Sequence, residues 1–280
     1  MINVTFYGVR GSTPCCGPDL VGYGGNTSCM AIESPGTRPV VCDLGTGLRY
    51  FGASLPAGQP FDGYALVTHL HWDHVQGLPF FVPLLRDGAR LEIFGPTPDS
   101  GQSLKDEFAS FLRPPVFPVC IDEFAGTVGF NEIDNDRVEL GGWSVLSRSV
   151  PHVGATNGYR VERDGVSVAY ISDHQQPLDG SFSVAEGAIE LARDVDLLVH
   201  DAQYTPSEFA SRAHWGHCTI EYACHLAAVA GAKRLALFHH DPSHHDVLLD
   251  ELAACAREWG ARRGLEVICA AEGLTVSLGG

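Results

Sequence analysis

The sequence predicts an α/β protein in which two mixed β-sheets pack together and helices cover both outer faces. Apolar, strand-like segments alternate with short loops through the first part of the chain, and a second series of strands and helices fills the C-terminal half. Such mixing is typical of domains in which each layer buries one face against the next. No linker, low-complexity block or charge run divides the 280 residues, so we expect a single domain over residues 1–280.

The first half of the chain predicts strands joined by short loops. Its N-terminal segment has neither the basic stretch nor the small-residue cleavage site of a secretory signal, so it predicts the first strand of the fold. Strands are expected over residues 2–8, 28–34, 39–43, 64–67 and 91–94, and helices over residues 78–85 and 103–112.

The second half predicts a longer alternation of strands and helices. A last helix is expected to begin near Ser243, because SHHD at residues 243–246 fits a capping box, in which the first and fourth side chains satisfy free backbone amides. Strands are expected over residues 138–140, 144–150, 158–162, 166–171, 197–200, 234–238, 265–270 and 274–278, and helices over residues 184–193 and 219–230.

Composition argues against a long polyanionic partner. The chain carries 18 Lys+Arg against 34 Asp+Glu, a net charge of −16, whereas proteins that bind nucleic acid usually present a basic stripe. We therefore expect no large nucleic acid, although a small anionic substrate held by metal ions is compatible with this charge. No apolar run of about 18 residues predicts a membrane span. Nine scattered cysteines without a CxxC pair predict free thiols in a reducing cytoplasm.

The most informative segment is HLHWDH at residues 69–74, directly after an apolar run that predicts a buried strand. Imidazole nitrogen and carboxylate oxygen are ligands that suit zinc, manganese and iron. Side chains repeat every two residues in an extended segment, so His69 and His71 point the same way. The chain must turn before Asp73 and His74 can both bind. The simplest geometry gives His69 and His71 to one metal ion and the later pair to a second.

Three later metal-competent side chains follow the ends of apolar strands, namely His152, Asp173 and His239. A rigid sheet holds such loop-borne groups in place. We expect His152 to complete the first site, His239 to complete the second, and Asp173 to bridge both ions. Their neighbours His174 and His240 are rivals for these places, and we expect both to lie just outside the ligand set.

Paired metal ions have a chemical purpose. Two divalent ions about 3.5–4 Å apart can share a hydroxide and clamp a phosphoryl oxygen, because metal binding lowers the pKa of water toward about 7. The sequence therefore predicts a hydrolase with two divalent metal ions per chain, zinc or manganese, with iron as a further choice. Asp73 is expected both as a ligand and as a catalytic residue.

These residues resemble the metallo-β-lactamase superfamily, and the resemblance covers essentially the whole chain. HLHWDH is similar to its signature motif and is followed by Gly77, where the longer form HxHxDHxxG has glycine. His152, Asp173 and His239 occur in the order of its later motifs. The resemblance implies the family's four-layer αββα sandwich, in agreement with the organisation above. It is less informative about substrate, because lactonases, thioesterases, nucleases and phosphodiesterases share the motif.

Two further motifs narrow the branch. VHDA at residues 199–202 and GHCT at residues 216–219 resemble the HEAT and HST pair of the tRNA 3′-processing endonucleases and related phosphodiesterases. The resemblance implies that His217 donates a proton to the leaving oxygen, or stabilises charge there, and that Asp201 orients it. Asp201 replaces glutamate and Cys218 replaces serine in that pattern. Alternatively, His217 merely flanks a helix that Thr219 caps.

Other segments also resemble this branch, including a bacterial subgroup often described as cyclic-phosphodiesterase-like. Glycine-rich turns at residues 8–12, 24–28 and 43–47 are expected to line the pocket floor. Within and beside them, residues predicted to support a ligand or bind substrate are Asp43, Asn26, Ser28 and His240. A turn-capping role for Asp43 is nearly as well supported. Three aromatic residues could form a pocket wall, although core packing is the commoner fate of such residues: Phe80, Phe81 and Phe117.

The leading hypothesis is a phosphodiesterase that acts on a small phosphodiester, a cyclic nucleotide or a cyclic sugar phosphate, by attack of a metal-bridging hydroxide. One alternative is a tRNA 3′-processing endonuclease, but residues 174–200 offer Arg193 as the only basic side chain where that family carries a tRNA-binding arm. Another is a lactone or thioester hydrolase, in which the second motif pair would have no clear purpose. A binding module would be expected to lack a ligand. Related proteins are often dimers, and the apolar segment 111–130 is a possible contact for a homodimer.

Overall fold

The computed structural model describes residues 1–279, within which the chain forms 14 strands and seven α-helices. The strands are β1 Ile2–Gly8, β2 Cys29–Glu33, β3 Val40–Cys42, β4 Asp62–Leu66, β5 Arg90–Gly95, β6 Thr127–Glu132, β7 Arg137–Leu140, β8 Trp143–Ser149, β9 Asn157–Arg163, β10 Val166–Ile171, β11 Leu197–Asp201, β12 Arg234–Phe238, β13 Glu266–Cys269 and β14 Thr275–Leu278. The helices are α1 Leu48–Ser54, α2 Trp72–Val75, α3 Leu104–Phe111, α4 Glu186–Ala192, α5 Pro206–Arg212, α6 Ile220–Ala230 and α7 Asp246–Ala261.

The strands of the described residues form two seven-stranded sheets. The first has the order β14-β1-β2-β3-β4-β5-β6, and the second has the order β13-β12-β11-β10-β9-β8-β7. In the first sheet, pairing is antiparallel from β14 to β3 and parallel from β3 to β6. In the second, it is parallel from β13 to β10 and antiparallel from β10 to β7. The predicted pair of mixed sheets is confirmed.

Alternating side chains explain the layers, because one face of each strand packs on the other sheet and the opposite face packs on helices. Phe6 and Tyr170 belong to the apolar cluster between the sheets, together with Phe238. Separate clusters join the second sheet to α4, α6 and α7, and the first sheet to α1 and α3. The hydroxyl of Tyr159 on β9 donates to the Val67 carbonyl beyond β4 at 2.7 Å, so a buried hydrogen bond also ties the two sheets together.

Some predicted elements are wrong. Residues 78–85 form two short 3₁₀ helices, Leu78–Phe80 and Val82–Leu85, because Pro79 and Pro83 remove the amide donors that one continuous α-helix needs. The predicted capping box at Ser243 is also absent. His245 is the N-cap of α7 and accepts from the Leu248 amide, whereas the Ser243 hydroxyl donates to Asp241. Helices α1 and α5 and strand β6 were not predicted.

No helix within residues 1–279 is both long enough and apolar enough to cross a membrane. All nine cysteines lie in this range and are free thiols.

Candidate metal centre

Seven side chains predicted as metal ligands meet where strands of the two sheets end. Parallel neighbours β10, β11 and β12 all end at this edge of the second sheet, and β4 ends at the facing edge of the first. The carboxyl ends of parallel strands are where α/β folds usually build sites. The centre is assembled from His69, His71, Asp73 and His74 after β4, His152 after β8, Asp173 after β10 and His239 after β12.

Three histidines form the first group. His71 Nδ1 lies 2.8 Å from His69 Nε2 and 3.2 Å from His152 Nε2. One nitrogen of each ring therefore faces the other two, and the three atoms lie within 4.8 Å of one another. This is the set predicted for the first metal ion.

Asp73, His74 and His239 form the second group. Asp73 Oδ2 lies 3.3 Å from His74 Nε2 and 3.3 Å from His239 Nε2. Helix α2 makes this possible, because its single turn brings Asp73 and His74 inward directly after the extended segment that carries His69 and His71. The three ligand atoms again lie within 4.8 Å of one another.

Asp173 lies between the two groups. Its Oδ1 is 3.2 Å from His74 Nε2, and its Oδ2 is 3.4 Å from His239 Nε2, which belong to the second group. The same Oδ2 is 3.8 Å from His152 Nε2 and 3.9 Å from His69 Nε2, which belong to the first. One carboxylate is therefore placed to contact both groups, as a bridging ligand must.

Hydrogen bonds on the far side of the rings set their orientation. His74 Nδ1 donates to Asp43 Oδ2 at 2.8 Å, and His152 Nδ1 donates to the Gly216 carbonyl at 2.7 Å. His239 Nδ1 donates to Gln203 Oε1 at 2.8 Å. Each of these bonds places the proton on Nδ1 and turns the lone pair of Nε2 toward the cluster, which is how metal-binding histidines are usually held.

The donor set fits divalent cations. His74 Nε2 and Asp173 Oδ1 are buried, and neither has a hydrogen-bond partner within residues 1–279. Buried polar atoms without partners are rare and call for an explanation such as an ion. Imidazole and carboxylate are ligands that zinc and manganese accept. A cation at the second group would satisfy two atoms that the protein itself leaves unpaired.

The electrostatics suit a bound cation, because they leave two rings neutral, keep Asp173 ionised and place negative charge around His74. Burial lowers the pKa of His152 to about 4 and lowers that of His69 well below its usual value, so both rings stay neutral and keep a free lone pair. Burial opposes ionisation of Asp173, but the surrounding histidines, above all His239, hold its pKa well below the usual range. Burial also opposes charge on His74, yet nearby carboxylates, above all Asp173, raise its pKa.

The predicted His217–Asp201 pair is brought together beside this centre. His217 Nδ1 lies 3.0 Å from Asp201 Oδ2 and 3.7 Å from Asp173 Oδ2. A second hydrogen bond also fixes the Asp201 carboxylate, because its Oδ2 accepts from the His174 amide at 3.0 Å. Thr219 caps α6 by accepting from the Tyr222 amide, as the alternative for this region predicted, and the role of His217 as a proton donor stays a prediction.

Gly216 explains how His217 reaches the centre. Its φ of +97° lies in the left-handed region that favours glycine. A Cβ at this position would lie 2.5 Å from His152 Nδ1, inside contact distance. Glycine is therefore required where the chain passes the first group of histidines just before His217.

The rival histidines turn away from the ligands. His174 Nδ1 lies 2.9 Å from His200 Nε2 in the interior behind Asp201. His240 Nε2 donates to the Ala270 carbonyl at 2.9 Å and its ring meets Tyr23 edge-on. The backbone at His239 has a φ of +59°, and His240 follows it outside the ligand groups, as predicted, with no observed contact to a ligand that would give it a supporting role.

Of the other three residues predicted to support a ligand or bind substrate, only Asp43 contacts a ligand. Asp43 holds His74 as predicted, and it also accepts from the Thr68 amide at 2.8 Å. Asn26 is bonded instead to Glu272, its Nδ2 donating to Oε2 at 2.9 Å. The Ser28 hydroxyl is buried and has no partner within residues 1–279.

Only one of the three aromatic residues is fully core. Phe81 is buried and stacks on Phe51. Phe117 is partly buried and meets Phe80 edge-on at 5.9 Å. Phe80 is 56% exposed and, contrary to the core assignment, lines a cavity of about 320 Å³ together with Tyr50.

Sequence reasoning missed three residues that hold ligands. Gln203 orients His239, the Thr68 hydroxyl lies 3.0 Å from His69 Nδ1, and the Ser12 amide donates to Asp73 Oδ2 at 2.7 Å. Ser12 has a φ of +60° and Asp43 one of +58°, conformations that cost energy for residues other than glycine and that often mark functional sites. The GSTP and HDAQ segments could have pointed to Ser12 and Gln203, since each adjoins a site motif.

Comparison with known proteins gives a family and a fold. The family model described as "Beta-lactamase superfamily domain" matches residues 40–240. The ribonuclease Z of Natronomonas pharaonis is 27% identical over 287 residues, which cover 85% of this chain and 86% of the relative.

Solved structures have the same architecture at low sequence identity. The metallo-beta-lactamase fold protein YhfI from Bacillus subtilis superposes with a TM-score of 0.75 at 20% identity and covers 98% of both chains. A diphosphatase from the PhnP family gives a TM-score of 0.68 at 18% identity, with coverage of 100% of this chain and 98% of its own. At these identities the likeness concerns the fold.

Proposed function

Since this chain belongs to the family of the beta-lactamase superfamily domain, we propose that it is a metal-dependent hydrolase that cleaves a small phosphodiester, with a cyclic nucleotide or cyclic sugar phosphate as substrate. The observation that carries the proposal is the hydrogen bond of 3.0 Å between His217 and Asp201 beside Asp173. His217 and Asp201 lie in the two motifs, VHDA and GHCT, that resemble the HEAT and HST pair of phosphodiesterases. That resemblance implies that the histidine assists the alkoxide that leaves a phosphodiester.

The metal ligands would hold the two ions at which the substrate phosphate binds. When bound, two divalent ions, zinc, manganese or iron, supply Lewis acidity toward phosphoryl oxygens and lower the pKa of water. His69, His71 and His152 would hold one ion, and Asp73, His74 and His239 the other, with Asp173 shared between them. Asp43 and Gln203 keep two of these rings oriented.

His217 supplies the proton that the leaving oxygen requires. With Nδ1 engaged by Asp201, Nε2 is the atom that can carry a transferable proton. The Asp201 carboxylate stabilises the positive charge of the protonated ring and fixes its plane. General acid catalysis of this kind contributes about 10²–10⁴-fold to rate.

Two alternatives are less well supported. The relatives include ribonuclease Z, but the net charge of −16 and the short, non-basic passage through α4 between Asp173 and Asp201 offer no arm for a tRNA. A lactone or thioester hydrolase could use the same metal ligands, but the motifs that contain His217 and Asp201 resemble those of phosphodiesterases. The small-substrate proposal uses every residue of the centre.

The experiment is hydrolysis by zinc- or manganese-loaded protein of 3′,5′- and 2′,3′-cyclic nucleotides, a cyclic ribose phosphate, a precursor tRNA and a simple lactone. We expect turnover of a cyclic phosphate that disappears in Asp173→Ala, together with weaker retention of both ions. Asp87→Ala, an exposed carboxylate away from the centre, is the matched control and should keep full activity. Turnover of the lactone alone would reject the proposal.

Partners and location belong to the same proposal. We propose a small anionic substrate, no large nucleic acid, no membrane partner and a cytoplasmic location. For the homodimer expected from segment 111–130, Val116 and Val119 are the exposed apolar side chains that such a contact would bury.

A further inference from the structure

A cavity of about 230 Å³ opens directly beside the first group of histidines. His69 and His71 form the wall nearest the centre, and Leu70, Pro98 and Val153 supply apolar surface. Drug-sized ligands occupy pockets of about 300–1,000 Å³. The cavity is therefore sized for one compact group attached to a phosphate that sits at the metal centre.

Its opposite side carries two carboxylates and no cation. Asp99 and Glu107 both line the cavity, with Ser100 beside them. Glu107 Oε1 accepts from the Ser100 hydroxyl, which leaves Oε2 free. Asp99 has no ion pair or side-chain hydrogen bond within the described chain, and a Cβ at Gly154 would lie 4.0 Å from its Oδ2. Free carboxylate oxygens accept hydrogen bonds and repel phosphate.

This side of the cavity is held in place from outside. The Thr97 amide and hydroxyl donate to Asp134 at 3.0 and 2.9 Å, and the Leu104 amide donates to Glu132 Oε1 at 2.8 Å. These bonds tie the segment that bears Asp99 to β6 and its following loop. A surface fixed in this way loses little entropy when a ligand binds.

We propose that this cavity is a nucleobase subsite selective for bases with an exocyclic amino group, read by Asp99 and Glu107. The inference rests on the proposed phosphodiesterase function and names its substrate class as nucleoside cyclic phosphates of adenine, cytosine or guanine. Apolar walls accept the faces of a base, and carboxylates accept its amino hydrogens, as they do from the cytosine amino group in nucleic-acid recognition. The same two charges disfavour substrates with a second phosphate on this side, including an RNA chain.

The test compares adenine, which has an amino group at position 6 of the ring, with hypoxanthine, which has an oxo group there. Binding of AMP and IMP to the metal-loaded protein is measured by calorimetry, and hydrolysis of their 3′,5′-cyclic forms is measured beside bis(4-nitrophenyl) phosphate, which has no amino group. We expect the wild type to prefer the adenine ligand by about tenfold or more, the scale of one charge-assisted hydrogen bond. Asp99→Asn and Glu107→Gln should each reduce this preference, chiefly through KM, because an amide can donate to the oxo group of hypoxanthine. Both changes should affect hydrolysis of bis(4-nitrophenyl) phosphate much less than hydrolysis of the cyclic adenine nucleotide, and the exposed control Asp87→Asn should change nothing.

Each outcome decides the question. Equal binding of AMP and IMP, or an unchanged preference in the Asp99→Asn, Glu107→Gln double variant, would overturn the subsite. An equal loss on bis(4-nitrophenyl) phosphate would show that the substitutions disturb the metal centre instead. If no phosphodiester is hydrolysed, the proposed function fails, while the AMP-to-IMP binding ratio still decides for or against the cavity.

Discussion

At the scale of single residues, His217 is the side chain whose role most needs separating from metal binding. Its ring nitrogen lies close enough to Asp173 and His152 to be counted geometrically as a possible ligand. The hydrogen bond to Asp201 argues for a proton donor instead. We expect His217→Ala to lower kcat by about 10²–10⁴-fold while metal content stays near that of the wild type, as measured by kinetics and elemental analysis of the same preparation.

A substrate series makes this prediction sharper. 4-Nitrophenolate leaves without protonation, so His217→Ala should slow bis(4-nitrophenyl) phosphate hydrolysis much less than that of a cyclic nucleotide. Asp201→Asn keeps the shape but removes the charge that stabilises the protonated ring, and it should show the same pattern more weakly. Loss of a metal ion from the His217 variant would assign it to the ligands and refute its role as an acid.

The ligands were predictable because each is a chemically distinctive side chain at the end of an apolar strand. The residues that orient them were not. Thr68 and Gln203 are ordinary polar residues that belong to no metal-binding motif. Thr68 contacts the adjacent His69, and Gln203, which follows β11, contacts His239, which follows the neighbouring strand β12. The contact of His240 with the Ala270 carbonyl was likewise not predictable, because a left-handed backbone at His239 is not visible in the sequence.

At the scale of elements, the turn after α2 determines where Asp73 and His74 lie. The Gly77 amide donates to the Leu44 carbonyl at 2.8 Å, and a Cβ at Gly77 would lie 1.9 Å from the Gly45 carbonyl oxygen. Two backbone segments therefore meet where only hydrogen fits. We expect Gly77→Ala to lower the free energy of unfolding by about 2–3 kcal/mol, at the upper end of ordinary overpacking, and to reduce metal content, as measured by urea denaturation and elemental analysis.

Gly17→Ala is the matched control for this substitution. Its added Cβ would meet only Leu20 Cδ1, at an ordinary distance of 3.8 Å. The substitution should therefore leave the free energy of unfolding and the metal content unchanged. Equal stability of the two variants would mean that the loop around Gly45 can move aside, and that the glycine after the HxHxDH motif is not a packing requirement here.

Elements were predictable where the apolar pattern was unambiguous, and not elsewhere. Strands β1, β10 and β12 have the predicted bounds. Strand β6 was missed because it lies at the edge of its sheet and contains Gly129 among polar residues. Helix α5 was missed although Thr205 and Glu208 form a true capping box with Pro206 between them, which shows that capping residues can be as informative as periodicity.

At the scale of the whole molecule, the candidate metal centre joins the two sheets. Four of its side chains follow β4 of the first sheet, and the other three follow β8, β10 and β12 of the second. Asp173 approaches ligands from both sheets, at 3.2 Å from His74 and 3.8 Å from His152. Ions bound here would therefore cross-link the two sheets.

Metal binding should therefore stabilise the entire domain. Each ion, when free at about 100 times its dissociation constant, would add about 2.7 kcal/mol to the free energy of unfolding, or about 5–10 °C in Tm for a chain of this size. Differential scanning calorimetry of loaded and chelator-treated protein measures this shift. Asp173→Asn should lose most of it, whereas His214→Gln, an exposed histidine outside the ligand groups, should keep it. Because the shift is compared within each variant, a change in the stability of the metal-free form does not disturb the result. Equal melting temperatures with and without metal in the wild type would mean that the native protein binds the ions no better than the unfolded chain does, and would contradict the candidate metal centre.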